Sequence, residues 1–170
     1  MTGDYRERIY SRYFSTSYSA VNRPDDAAYR VHGAALRRLL APHLPADRGA
    51  RIVDVACGIG YAVHGLREAG YANVSGLDVS PEQVEVARGR GLPVERADVF
   101  DHLPRHEASF DAILALDFVE HLTKDELLRF FDLAGRALRP SGVLVMKTPN
   151  ASSPIAPRAR YRDLTHELLF

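Results

Sequence analysis

The fold is decided by the run Arg51-Ile52-Val53-Asp54-Val55-Ala56-Cys57-Gly58-Ile59-Gly60-Tyr61. Its first half is short, apolar and β-branched, which is typical of a strand buried on both faces of a parallel sheet. Its second half consists of small residues, and glycines there permit a tight turn and the close approach of a ligand to the main chain. A helical pattern containing Val63 and Leu66 follows at once. The run therefore predicts a strand, a glycine turn and a helix N-terminus, which together favour a polar or nucleotide-like ligand.

Length and composition are those of one ordinary globular domain. The chain has 170 residues, of which 46% are hydrophobic and 26% are charged. Its 22 Lys and Arg balance its 22 Asp and Glu, which argues against a nucleic-acid-binding surface. The sequence shows no apolar run of membrane-spanning length and no apolar core of a signal peptide, and the single Cys57 cannot form an internal disulfide. These features predict a cytoplasmic protein without a nucleic-acid or membrane partner.

The segment before the glycine turn predicts two helices. Residues 4–18 are rich in tyrosine, and Tyr5, Ile9 and Tyr13 are spaced by four, which favours a short helix. We interpret this stretch as a lid that packs on the domain; the alternative is a lid that points a tyrosine hydroxyl into the site and excludes water. A longer helix is expected from Pro24 to about Leu40. Its predicted apolar face consists of Ala28, Val31, Ala35, Leu36, Leu39 and Leu40.

Strand and helix patterns alternate along the rest of the chain. We expect further strands at 72–78, 92–96, 110–116 and 143–147. Ser80 with Gln83, and Thr123 with Glu126, have the spacing of capping boxes and predict the starts of two intervening helices. The alternation favours a doubly wound α/β fold with a mainly parallel, Rossmann-like sheet. We divide this single domain into an N-terminal lid and helix, a core and a C-terminal segment, at 1–45, 46–148 and 149–170.

Three aspartates follow the ends of predicted strands, at the sheet edge where ligands of open α/β sheets bind. Asp78 stands twenty residues after Gly58, where a carboxylate can accept both ribose hydroxyls of an adenosine. Its alternative role is to cap a helix, a role that we assign to Ser80. Asp98 follows the third strand and can accept a hydrogen bond from an adenine amino group. Asp117 ends the fourth strand.

In sequence and order, these segments resemble the motifs of the class I S-adenosylmethionine-dependent methyltransferases. The resembling segments are Asp54-Val55-Ala56-Cys57-Gly58-Ile59-Gly60, Gly76-Leu77-Asp78-Val79-Ser80, Ala97-Asp98-Val99, Phe110-Asp111-Ala112-Ile113 and Leu138-Arg139-Pro140-Ser141-Gly142. The run Asp117-Phe118-Val119-Glu120-His121-Leu122 is similar to the D-x-x-E-H-L form of the small-molecule branch that includes ubiquinone-biosynthesis-like enzymes. Thr148-Pro149-Asn150 and residues 163–167 are also similar to that branch. A dinucleotide site would have a third glycine where Val63 stands.

The resemblance implies S-adenosylmethionine as the cofactor and a small molecule as the methyl acceptor. It implies that the methionine end lies on the glycine turn, the ribose on Asp78, the adenine beside Val79, and the sulfonium near Asp117. The expected cofactor-binding residues are Asp54, Ala56, Cys57, Gly58, Gly60, Asp78, Val79, Asp98, Val99, Leu116 and Asp117. Cys57 is interpreted as a small turn residue rather than a nucleophile.

The activated sulfonium leaves the protein mainly the tasks of positioning both reactants and removing the acceptor's proton. Histidine titrates near neutral pH and suits proton removal, so His121 is the first candidate base and His166 the second. The alternative for either histidine is a structural role, and no metal site is predicted. The leading function is methyl transfer to a hydroxyl, in secondary or sugar metabolism. The alternatives are a cofactor-binding module or inactive fragment, and an NAD(P)-dependent oxidoreductase.

The family sheet implied by the resemblance has seven strands, of which this sequence supplies five. The expected order is 3-2-1-4-5, and residues 149–170 are too few and too rich in proline to add two more strands. The strand at 143–147 would then be an open edge that is apolar on both faces, and such an edge invites pairing. We therefore predict self-association through this edge, or exchange of the C-terminal segment between copies.

Overall fold

The computed structural model describes residues 5–12, 14–18, 24–150, 165–168 and 170. The strands of these residues form one parallel sheet in the order 3-2-1-4-5, as predicted. They are β1 (Arg51–Val55), β2 (Asn73–Asp78), β3 (Val94–Arg96), β4 (Phe110–Leu116) and β5 (Leu138–Lys147). Because all pairs are parallel, the carboxyl ends of the strands meet at one edge of the sheet.

Helices precede and connect the strands. They are α1 (Tyr5–Tyr10), a π-helical turn (Phe14–Tyr18), α2 (Asp26–Leu40), α3 (Tyr61–Glu68), α4 (Pro81–Gly89), α5 (Val99–His102) and α6 (Lys124–Ala137). Short 3-10 turns occupy Ala41–His43, Leu103–Arg105 and Val119–His121. Within the described ranges, none of the helices has the length and apolar composition needed to span a bilayer.

The core consists of two layers, one on each face of the sheet. Alternate strand residues point to opposite faces, so Ile52 packs with α2, α3 and α4, whereas Val53 packs with α5 and α6. The same alternation divides β4, where Leu114 belongs to the first layer and Ile113 to the second. Both faces of the central strands are therefore buried, as the continuous apolar runs predict.

The predicted apolar face of α2 is wrong at three positions, since Val31, Ala35 and Leu39 are exposed. Val31 is 65% exposed and Leu39 is 49% exposed, whereas Tyr29 and Gly33 are buried. The reason is a close helix crossing: a Cβ on Gly65 of α3 would stand 2.2 Å from the carbonyl oxygen of Gly33. The contact of two glycines rotates α2 so that Tyr29, and not Val31, enters the core, where its hydroxyl donates to the carbonyl of Ile59.

The fifth strand is less buried than its sequence predicts. Met146 is 45% exposed, and the three apolar residues before it are only half-buried. β5 also begins at Leu138, five residues before the expected strand at 143–147, and its pairing with β4 has a register shift between Phe110 and Ala112. Among the described strands β5 pairs only with β4, so it is an edge of the sheet.

Candidate functional site

The turn after β1 has a backbone conformation that favours glycine, and it leaves no room for a side chain at two positions. Ala56, Gly58 and Gly60 have φ values of 56°, 58° and 84°, in the left-handed region that favours glycine. A Cβ on Gly58 would stand 2.9 Å from Oε1 of Gln83. A Cβ on Gly60 would stand 2.8 Å from a methyl group of Leu92. The turn therefore depends on glycine at both positions, and it leads directly into α3.

Asp78 joins the end of β2 to this turn. Its Oδ2 accepts a hydrogen bond from the backbone N–H of Gly58, and its Oδ1 accepts one from Ser80, both at 2.8 Å. The side chain is 5% exposed, and burial raises the pKa of Asp78 against the opposing effect of these backbone donors. The predicted capping role of Ser80 is wrong, because the Ser80 hydroxyl makes no cap and is buried without a partner among the described residues.

Asp54 is a buried carboxylate in β1, just before the turn. It is 2% exposed, and its Oδ1 has no hydrogen-bond partner among the described residues. Burial and the neighbouring Asp78 raise the pKa of Asp54 well above its usual range. Burial also raises the pKa of the Cys57 thiol, with smaller contributions from the two aspartates. A thiol that stays protonated suits a packing residue better than a nucleophile.

Asp98 and Val99 lie where β3 passes into α5. Asp98 is exposed, and its Oδ1 accepts a hydrogen bond from the backbone N–H of Phe100 at 2.8 Å, so it caps the short helix. Val99 is buried, whereas Val79 at the end of β2 is 39% exposed. An apolar side chain and an acidic side chain are therefore both present at this edge of the sheet.

Asp117 follows Leu116 at the end of β4, with a φ of 52°. Its side chain is half-exposed and forms an ion pair with Lys147, the last residue of β5. Its backbone N–H donates to the carbonyl of Lys147 at 2.7 Å. Two contacts to the same residue of the neighbouring strand hold this turn at the carboxyl edge.

The two candidate histidines are brought together. The rings of His121 and His166 lie edge to face, with centroids 4.8 Å apart and planes at 69°. Nδ1 of His121 is 2.7 Å from Oγ1 of Thr165 and 3.3 Å from the carbonyl oxygen of Thr165. The backbone N–H groups of Glu167 and Leu168 donate to the carbonyl of Glu120 at 2.8 and 3.0 Å. The C-terminal residues are thus bonded to the turn after β4, although the chain between 151 and 164 lies outside the described residues.

Glu120 lies in the Asp117–Leu122 motif, and its type and position in the sequence predicted no role for it. It is 2% exposed, its Oε2 accepts a hydrogen bond from the Thr148 hydroxyl at 3.1 Å, and its Oε1 has no partner among the described residues. Burial raises the pKa of Glu120 to about 7. Glu120, His121 and His166 each present a ligand atom within 4.8 Å of the others, which is a geometry that can hold a cation.

The N-terminal helix is held from two sides. Arg6 of α1 forms an ion pair with Glu126 at 2.6 Å and approaches Glu167 at 3.8 Å. In the following turn, the backbone N–H of Ser15 donates to Oε2 of Glu82 at 2.9 Å. The predicted short helix is therefore tied to α6, to the C-terminal residues and to α4. Tyr13, which the spacing of this stretch includes in the predicted helix, lies outside the described residues.

Comparison with known proteins identifies one family model, described as a methyltransferase domain, which matches residues 52–142. A ubiquinone biosynthesis O-methyltransferase of Methylocella silvestris is 34% identical over 71% of this chain and 52% of its own length. The O-methyltransferase cnsE of Penicillium expansum is 34% identical over 79% of this chain and 51% of its own.

The fold also matches solved structures. A SAM-dependent methyltransferase from Archaeoglobus fulgidus superposes with a TM-score of 0.74 at 25% identity, over 84% of this chain and 62% of its own. The chain spans about half the length of the curated relatives it matches. The matched family segment contains the glycine turn, the three aspartates and His121, whereas Thr165 and His166 lie beyond it.

Proposed function

The chain belongs to the class I S-adenosylmethionine-dependent methyltransferases, and from that premise we propose that it transfers the cofactor's methyl group to a hydroxyl of a small molecule. The observation that carries the proposal is the juxtaposition of two regions at one sheet edge. One region is a glycine turn with buried carboxylates, and the other holds a histidine fixed by hydrogen bonds.

The residues of the turn fit S-adenosylmethionine. The cofactor's methionine end carries a positive charge, and the buried Asp54 carboxylate, which has an unpartnered oxygen among the described residues, would be stabilised by it. Gly58 and Gly60 would let the cofactor approach the main chain. We assign Ala56 and Cys57 to the wall of the same turn.

We assign the ribose to Asp78. A carboxylate has about four lone-pair sites, which is more than its two backbone hydrogen bonds from Gly58 and Ser80 occupy. These bonds hold the carboxylate in place before the cofactor arrives, and both oxygens retain capacity to accept the ribose hydroxyls. We assign the adenine to the surroundings of Val79, Asp98 and Val99.

The reaction requires that a proton leave the acceptor hydroxyl as the methyl group arrives. With S-adenosylmethionine bound, its sulfonium would supply the methyl group: the acceptor oxygen would bond to the methyl carbon as the carbon–sulfur bond breaks toward sulfur, and the hydroxyl proton would pass to a base. We assign the base to His121, with Leu116 and Asp117 on the cofactor side of the same turn. His166 is then a ring neighbour of the base, and not the base itself.

The cluster of Glu120, His121 and His166 supports a second candidate role, which is binding of a divalent cation. A carboxylate and two imidazoles suit zinc, manganese or iron, and the unpartnered Oε1 of Glu120 is a ready ligand. A bound cation would polarise the acceptor hydroxyl. Titration calorimetry with Mn²⁺ or Zn²⁺ on the wild-type chain and on His166→Gln tests it: saturable binding that the variant loses supports the role, and no binding removes it.

The setting of the reaction is also a proposal. A relative of known name is a 27-O-demethylrifamycin SV methyltransferase of Amycolatopsis mediterranei, 33% identical over 72% of this chain and 47% of its own. This relative supports our proposal that the acceptor comes from secondary metabolism, and a cytoplasmic location stays a prediction. The edge strand β5 is partly exposed, which supports self-association of the chain. Light scattering over a dilution series tests this proposal. A molar mass that stays that of a monomer at all concentrations would contradict it.

Titration calorimetry with S-adenosylmethionine, S-adenosylhomocysteine and NAD separates the functional classes. The proposal predicts binding of the first two and none of NAD; NAD binding alone would replace the proposal with an oxidoreductase. An assay with methyl-labelled cofactor against a panel of phenols and hydroxylated natural products then tests transfer. Cofactor binding without transfer to any of them would support a cofactor-binding module.

A further inference from the structure

We propose that Thr165 is a positioning residue, which keeps the proton of His121 on Nδ1 and thereby makes Nε2 the basic atom. The catalytic meaning of this inference rests on the proposed function, in which His121 removes the acceptor's proton. The tautomer itself is a property of the folded chain and can be measured without any turnover.

Two oxygens of Thr165 face the same ring nitrogen of His121. Oγ1 lies 2.7 Å and the carbonyl oxygen 3.3 Å from Nδ1 of His121. A hydroxyl can donate or accept, but a carbonyl oxygen can only accept. A proton on Nδ1 satisfies both oxygens, whereas a lone pair on Nδ1 would face the lone pairs of the carbonyl. The pair of contacts therefore favours the tautomer with Nδ1 protonated.

The Thr165 side chain is well placed to impose this choice. It is 2% exposed, so water competes little for its oxygens. The next residues bond to the main chain beside His121, since Glu167 and Leu168 donate to the Glu120 carbonyl at 2.8 and 3.0 Å. The His166 ring packs edge to face against the His121 ring. Backbone bonds and ring packing thus fix the distance between Thr165 and the imidazole.

The chemical consequence is that a defined atom of the ring, Nε2 of His121, acts as the base. With the proton on Nδ1, the lone pair of the neutral ring is on Nε2, which takes the acceptor's proton as the methyl group is transferred. The ring then carries a positive charge, and the hydrogen bond from Nδ1 to the Thr165 oxygens becomes charge-assisted and stronger. Thr165 acts only through His121 and needs no contact with either reactant.

Long-range ¹H–¹⁵N NMR of the ¹⁵N-histidine-labelled chain in EDTA tests the tautomer, with His121 assigned from the spectrum of His121→Gln. We expect Nδ1-protonated His121 in the wild-type chain and in Thr165→Ser, and a mixture with the other tautomer in Thr165→Val. Thr148→Val is the matched control, since its hydroxyl bonds to Glu120 and not to the ring. A wild-type His121 protonated on Nε2, or a tautomer ratio unchanged in Thr165→Val, would overturn the inference.

Turnover gives the second test. With an acceptor in hand, Thr165→Val should lower kcat about tenfold at unchanged affinity for S-adenosylhomocysteine, and Thr165→Ser should recover most of the loss. Equal losses in the valine and serine variants would contradict a role of the hydroxyl. If the chain transfers methyl groups to no acceptor, the proposed function fails while the NMR result still decides the role of Thr165.

Discussion

Two regions of this molecule are built on contacts of different reach. The cofactor half is the glycine turn with Asp54 and Asp78, to which we assign the cofactor, and the acceptor half is the cluster of Glu120, His121, Thr165 and His166, to which we assign the acceptor. In the cofactor half, Asp78 holds the turn through Gly58, twenty residues earlier, and through Ser80, two residues later. In the acceptor half, His121 is held by Thr165, forty-four residues away. Arg6 reaches Glu126 over a separation of 120 residues. The cofactor half is thus assembled within one strand–helix–strand unit, whereas the acceptor half exists only when distant segments dock.

Each half contains a buried carboxylate oxygen without a partner among the described residues, Oδ1 of Asp54 in the cofactor half and Oε1 of Glu120 in the acceptor half. Asp78, by contrast, has backbone donors for both of its oxygens. Buried polar groups without partners are costly to fold, so they persist where a ligand uses them. We therefore expect that substitutions in one half change cofactor binding and substitutions in the other half change proton removal.

Gly65→Ala should disrupt the packing of α2 on α3, which supports the cofactor half. We expect it to have the largest effect of the substitutions considered. Its Cβ would stand 2.2 Å from the Gly33 carbonyl oxygen, so α2 must move away from α3. We expect the free energy of unfolding to fall by about 3 kcal/mol, measured by urea denaturation. Gly135→Ala in α6 is the control: its Cβ meets nothing within 4 Å, and replacing a helical glycine should stabilise by up to about 1 kcal/mol. Equal effects would refute the close crossing.

Asp78→Ala should weaken cofactor binding, and it tests the cofactor half alone. Loss of a buried carboxylate that we assign to the ribose should weaken S-adenosylhomocysteine binding by about 2–3 kcal/mol, or roughly 30–150-fold. Titration calorimetry measures this, with Asp101→Ala as a control that removes an exposed carboxylate to which we assign no contact with the cofactor. An affinity within about twofold of wild type would mean that the ribose lies elsewhere.

Much of the cofactor half could be predicted from sequence because its signals are local. The β-branched run, the two glycines and the aspartate at the next strand end occur in a fixed order. The alternation of strands and helices predicted the parallel sheet, and the resemblance to the family implied its strand order. The same reasoning failed at Ser80. In a capping box the backbone N–H of Ser80 would donate to the side chain of Gln83, and spacing alone does not show that it donates to Asp78 instead. It failed on α2 because periodicity does not reveal that Gly33 meets Gly65.

The acceptor half was largely beyond sequence reasoning. Glu120 stood in a quoted motif, but its burial depends on Thr148 and on the C-terminal residues, which no spacing rule connects to it. Thr165 and His166 follow residues 151–164 with no periodic pattern to place them. Contacts over such separations arise from tertiary packing, and a single sequence carries no local signal for them.

The pH dependence of stability sharpens this part of the comparison. A pKa of about 7 for folded Glu120, against an ordinary value of 4.5, means that the folded state binds the proton more tightly. Stability is therefore greatest below pH 4.5 and is lost as pH rises toward 7, by about 2 kcal/mol between pH 5 and pH 7. Burial raises the pKa of Asp54 and Asp78 as well, so the wild-type chain is compared with Glu120→Gln, which keeps both aspartates. The difference between the free energies of unfolding of these two chains should shrink by about 2 kcal/mol as the pH falls from 7 to 5. A difference that stays constant contradicts a buried carboxylate with a raised pKa.

Arg6→Gln should give the smallest loss of stability. The Arg6–Glu126 pair is partly exposed, and pairs of this kind contribute about 0–1 kcal/mol. We expect thermal unfolding to shift slightly, and less in high salt because the pair is screened. A loss of several kcal/mol would show that α1 is an integral part of the core and would weaken the division into two halves.

The most direct test of the division is the affinity of His121→Ala for S-adenosylhomocysteine, measured by titration calorimetry beside the wild-type chain. The account predicts an affinity within about twofold of wild type, together with a turnover reduced about 100-fold on any acceptor that the wild-type chain methylates. A loss of cofactor affinity as large as that of Asp78→Ala would contradict it, because His121 would then support the fold or the cofactor site and not the removal of a proton.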